Sequence, residues 1–146
     1  ITKFDRACRL LEKKDYAEVF DIMKDAGEKY DPFMQRAKGA YLENLFRKGE
    51  FEFLSIKINE LIKTKDGWHH WINKYIVAKQ IHLLYSAIPI DEDYIYGKSL
   101  LKILIYFLQN DHRRLLECLR VWPDHFYNFP RFCLEFDKVF YRCQEA

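Results

Sequence analysis

The tetrapeptide Trp68-His69-His70-Trp71 is the most chemically loaded grouping in the chain. Adjacent residues of a helix point about 100° apart, whereas helical metal ligands pair at i, i+3 or i, i+4. The two histidines therefore suit the first turn of a helix better than a metal. Trp68 and Trp71 either pack inward or form an exposed aromatic hot spot, a role in which Trp is enriched. Cysteines stand at 8, 118, 133 and 143, a spacing that matches neither a zinc finger nor a CxxC redox pair. His112 and His125 add nothing to them, because Pro123 and Pro130 interrupt the chain around them. The serines at 55, 86 and 99 lie in no nucleophile turn, and no glycine-rich phosphate loop exists. Asp91-Glu92-Asp93 reads as a loop that caps the helix after it. No catalytic residue, metal site or cofactor is expected, and the free-thiol pattern points to cytosol or nucleus.

The second candidate is the aromatic stretch Trp122 to Phe132, which holds His125, Phe126, Tyr127 and Phe129 with Arg120 and Arg131 beside it. Folded back, these rings seal the end of a helical stack. Left outside, they make a protein-docking patch of Trp122, His125, Phe126, Tyr127, Phe129 and Arg131. Rings with arginines also suit single-stranded nucleic acid, where bases stack on side chains. That alternative would draw on Lys38, Arg47, Lys48, Arg113, Arg114 and Arg120. A net charge of only +2 over 146 residues weighs against it.

Helices must position all of these groups. Hydrophobic residues make up 49% of the chain and charged residues 32%, a mixture that folds rather than stays disordered. The length suits one domain over 1–146, and the chain starts at Ile1 with no Met or signal pattern, as a piece of a longer protein would. Helical spacing of apolar residues predicts helices over 4–14, 16–26, 31–48, 50–63, 68–87, 94–109, 112–121 and 131–143. Asp15 is expected to cap the second, Gly27 to end it in the left-handed conformation, and Asp31 to cap the third ahead of Pro32. Asp66-Gly67 is expected to be a turn. The sixth helix is apolar almost all round, the mark of a core element or of a surface made for another subunit. Exposed, such a helix would favour self-association. No run is long and apolar enough to span a membrane.

A turn signal repeats along the chain. Lys14-Asp15-Tyr16-Ala17-Glu18-Val19 is echoed by Gly49-Glu50-Phe51-Glu52-Phe53-Leu54, and the offset from Asp15 to Gly49 is 34 residues. A third tight turn falls at Gln109-Asn110-Asp111-His112. Joints of one or two residues force successive helices to lie antiparallel. Over residues 1–64 the sequence resembles the tetratricopeptide-repeat family, whose inter-helix turn reads Gly-Asp-Tyr followed by an acidic residue. Ala7 fits the small residue wanted in a first helix, while Leu42, Val19 and Leu54 replace the small residues expected elsewhere. The fold class expected is thus all-α, about eight helices in an antiparallel hairpin array, either a tetratricopeptide-like solenoid or a helical bundle. The resemblance implies a stack whose face holds a peptide or partner helix: a non-enzymatic interaction module, scaffold or adaptor.

Overall fold

Short polar side chains start the helices, because the first N–H groups of a helix lack internal acceptors. A computed structural model of the protein describes residues 2–90 and 97–145, with side chains through residue 139. Thr2 accepts from the Asp5 N–H at 3.1 Å and opens α1 (Lys3–Glu12). Asp15 accepts from the Glu18 N–H at 3.4 Å and opens α2 (Tyr16–Met23), as expected. The joint between them turns at Lys14, whose φ is +63°. There the Asp15 N–H reaches back to Leu10 O and the Lys14 N–H to Leu11 O, both at 3.0 Å. This pair of crossed bonds closes a helix on a left-handed residue.

The same closure occurs twice more. Gly49 (φ +74°) ends α3 (Asp31–Arg47), with the Glu50 N–H on Leu45 O at 3.1 Å. Lys79 (φ +60°) ends α5 (Lys65–Val77), with the Gln80 N–H on Tyr75 O at 2.8 Å. Gly27, by contrast, is extended (φ −74°, ψ 177°), and α2 ends earlier than expected, at Met23. Asp31 is not a cap either. A 3₁₀ turn, Glu28–Tyr30, runs directly into α3, so Asp31 already lies inside the helix, Tyr30 takes the cap position, and no side chain caps it. Pro32 lies in the first turn of α3 as expected.

After α4 (Phe51–Leu61), Thr64 caps α5 by accepting from the Gly67 N–H at 3.1 Å. Asp66 and Gly67 therefore belong to the helix rather than to a turn. A side chain at Gly67 would stand 2.7 Å from Ile62 Cγ2, so the close approach of the chain there requires glycine. The long fifth helix expected over 68–87 is broken at Lys79 and continues as two 3₁₀ turns, Ile81–Leu83 and Tyr85–Ala87. The physical reason is that residues i and i+3 eclipse in a 3₁₀ helix. Ile81 and Leu84 thus share one buried side, with a spacing an α-helix would also show, and Ile88 in the extended chain beyond is buried too.

The remaining elements are α6 (Gly97–Asn110), α7 (His112–Val121), a 3₁₀ turn at Asp124–Phe126 and α8 (Phe129–Glu145). The expected Asp91–Asp93 cap and the 94–96 start of the sixth helix lie outside the described residues. Asp111 alone joins α6 to α7 and caps the latter through the Arg114 N–H at 3.2 Å. Helix α8 begins two residues before the expected 131, because Asn128 accepts from the Arg131 N–H at 3.1 Å and sets Pro130 in the first turn.

Among the described residues the fold is all-α, with eight α-helices and no strand. The contacts gather into two compact units, 1–57 and 58–146, with the division inside α4. The first unit packs α1, α2 and α3 around Ala7, Val19, Met23, Phe33 and Ala37, with Phe4 against the rings of Tyr30 and Phe33. The two alanines are fully buried, which lets the helix backbones approach closely. The second unit is centred on α6, which packs against α5, α7 and α8. Leu100, Ile103, Leu104, Phe107 and Leu108 of α6 are all buried, so the apolar helix is core rather than a subunit surface.

Candidate interaction surfaces

Most of the aromatic residues singled out from sequence serve the core. Trp68 is 0% exposed, Trp71 3%, Trp122 5%, Phe126 5% and Tyr127 6%. The docking-patch reading of these five is corrected: all of them pack inward. Large rings gain most from leaving water. The 3₁₀ turn at Asp124–Phe126 folds the segment so that Trp122, Phe126 and Tyr127 all reach the interior. Tyr127 loses water in the process, which raises its pKa above the usual value. Lys74 lies over the Trp71 ring, 5.3 Å from its centroid, and His70 meets the ring edge-on. Of the sequence-derived set, His125, Phe129 and Arg131 remain exposed.

A different set of apolar side chains faces water. In the second unit these are Val77, Leu116, Val121, Phe129, Leu134 and Phe136, and all but Val77 belong to α7 and α8. In the first unit they are Phe53 and Ile56 of α4, with the Lys57 ammonium 5.3 Å from the Phe53 centroid. The sequence contained a signal for Leu116 and Val121, since both fall off the Leu115, Cys118, Leu119 stripe that turns α7 inward. Phe136 carries the opposite signal: its spacing from Phe132 predicts burial, yet it lies at the flank of that stripe and is 46% exposed.

Charge on these helices is partly committed. Asp111 both caps α7 and pairs with the Arg114 guanidinium, which holds its carboxyl below the ordinary value and raises that of Arg114. The Tyr85 hydroxyl donates to Glu117 Oε2 at 2.6 Å. Burial first, then that hydrogen bond, pushes the Tyr85 pKa up to about 12. On α8, Glu135 pairs with Arg131 at 3.7 Å and with Lys138 at 3.4 Å. Arg113 and Arg120 of α7 stand exposed, and among the described residues no ion pair engages either side chain. In the first unit Arg47 and Lys48 are exposed at the end of α3, while Lys38 is half-buried.

Two groups with chemical potential are structural here. His69 Nδ1 is hydrogen-bonded to Ser99 Oγ. Ser99 is 1% exposed, so the pair offers a substrate no approach. Burial, reinforced by Lys65, lowers the pKa of His69. Burial also raises the Cys118 thiol to about 12, which removes the thiolate needed for reactivity. Among the described residues no group of three His, Cys, Asp or Glu side chains could hold a metal, and no helix is long and apolar enough to cross a membrane. A cleft of about 480 Å³ lies in the first unit between the start of α1 and the end of α2, over Phe4, Ile22, Met23 and Tyr30.

Comparison with known proteins adds one finding. Residues 37–138 match the family model described as the Vps41 TPR-like region. No curated protein and no solved structure gives a significant match. The matched span runs from the middle of α3 into α8, so the repeat character extends well beyond the 1–64 segment in which the sequence alone shows it.

Proposed function

We propose that this chain, which belongs to the Vps41 TPR-like region family, is a protein–protein interaction module with no catalysis of its own, a scaffold or adaptor segment of a larger complex. The observation that carries the reading is the concentration of exposed large apolar side chains on α7 and α8. Leu116, Val121, Phe129, Leu134 and Phe136 are each between 45% and 68% exposed, on helices whose inner faces are fully supplied with core residues. Scattered exposed apolar residues are ordinary, but five within 112–138 give that part of the second unit an excess that a partner would cover. Arg131 and His125 add polar groups beside them, as at the rim of an interface.

The test is capture from native lysate with the chain as bait, run with and without nuclease, beside the double variant Leu134→Ser/Phe136→Ser. A stoichiometric protein that survives nuclease and is lost with the variant is expected, while the thermal melt of the variant stays that of the parent. Bound material that vanishes on nuclease treatment would instead support the nucleic-acid reading, with Arg113, Arg114 and Arg120 as the residues to mutate next.

A further inference from the structure

The outer face of α7 carries Arg113, Leu116 and Arg120 at positions i, i+3 and i+7, one line along the helix. Leu116 is 54% exposed, and the neighbouring Val121 is 68% exposed. The carboxylate that belongs to this line is Glu117, four residues after Arg113 and three before Arg120, the two spacings at which helical ion pairs form. It pairs with neither in the structure. Its Oε2 is held by the Tyr85 hydroxyl at 2.6 Å, from the 3₁₀ turn Tyr85–Ala87. Asp111, which precedes this helix, is committed to Arg114 and to the helix cap. Among the described residues no carboxylate pairs with Arg113 or Arg120, because Tyr85 holds Glu117, and two guanidinium groups flank an exposed leucine.

We infer that this face receives an acidic amphipathic helix of a protein partner, with carboxylates at i and i+7 around one apolar residue. Seven residues of helix span about 10.5 Å, so carboxylates with that spacing meet Arg113 and Arg120 together, and the apolar residue between them covers Leu116. Arginine suits the role because its guanidinium matches a carboxylate bidentately. The exposed Leu116 favours a protein over a phosphate backbone, which would leave it wet. The inference rests on the interaction-module reading above and names the partner chemistry of one part of that surface.

Two synthetic helical peptides test it. They share their apolar positions, one with Glu and the other with Lys at i and i+7 around Leu, and a single-stranded oligothymidylate is the third probe. The chain is expected to bind the Glu peptide, with affinity falling as salt rises, and not the Lys peptide. Arg113→Glu/Arg120→Glu should weaken the Glu peptide on the order of tenfold or more and take up the Lys peptide instead. Glu117→Gln should tighten the Glu peptide. Tyr85→Phe should weaken it by releasing Glu117 toward the arginines, an effect that general surface stickiness would not produce. Equal binding of both peptides, a double variant that keeps the Glu peptide, or tighter binding of the oligonucleotide overturns the inference. If lysate capture persists in Arg113→Glu/Arg120→Glu while the Glu peptide is ignored, the interaction module stands and this face is not its acidic-helix site.

Discussion

Three helices of this protein end on a left-handed residue, and two of those residues are lysines. A side chain in that conformation costs roughly 1–2 kcal/mol, which glycine does not incur. Glycine in return loses more freedom on folding, by about 0.4–1 kcal/mol, and replacing lysine forfeits about 0.3 kcal/mol of attraction to the helix C-terminus. The balance for Lys79→Gly is a gain of about 0.5 kcal/mol, while Gly49→Ala should lose about 1 kcal/mol by the same terms reversed. With a urea m-value of about 2 kcal/mol/M, the midpoint should rise by about 0.25 M in the first variant and fall by about 0.5 M in the second. Trp68, Trp71 and Trp122 all lie in 58–146, so tryptophan fluorescence follows the unit that contains Lys79, and far-UV circular dichroism follows both units. Lys14→Gly, in the first unit, should gain as Lys79→Gly does, by circular dichroism. A lower midpoint for Lys79→Gly at unchanged m would refute the left-handed closure as the device that ends α5.

Three further outcomes follow from packing and charge. Leu104→Ala empties a fully buried site in α6 and should cost about 3–5 kcal/mol, whereas Leu134→Ala on the outer face of α8 should stay within about 0.5 kcal/mol, both by urea unfolding; Leu104→Asp should leave 58–146 unfolded. Gly67→Ala forces Ile62 aside and should cost about 1–3 kcal/mol, read as a lower melting temperature. Because burial and Lys65 hold folded His69 below its usual 6.5, the unfolded chain takes up that proton first as pH falls. The contribution is complete above about pH 6.5, declines below it and levels off once folded His69 is also protonated. His69→Asn should flatten that part of the stability profile.

Legibility in the sequence followed the physical signal at each position. Helix α7 was readable to the residue, because Asp111 caps it, an apolar stripe runs through it and Pro123 stands just beyond. The break at Lys79 carried no such mark: no glycine or proline stands there, and the apolar spacing of Ile81 and Leu84 suits α and 3₁₀ geometry alike. Gly27 gave the opposite error, a glycine that suggests a left-handed cap where the chain runs extended. Burial of Trp68, Trp71 and Trp122 was one of two readings the sequence allowed, since a ring suits a core and a hot spot equally and only the packing decides. The hold of Tyr85 on Glu117, which keeps that acid from Arg113 and Arg120, was beyond reach, because the two partners lie 32 residues apart in sequence.

The joints at Lys14, Gly49 and Lys79 also bear on which residues such a chain can accept at its bends. Each is closed by main-chain N–H and C=O groups that every non-proline residue supplies. Lysine stands at two of them and glycine at the third, with the same bond pattern at each. The bends are therefore specified by the backbone rather than by any one side chain, and a residue other than glycine is accommodated there at the conformational cost worked out above.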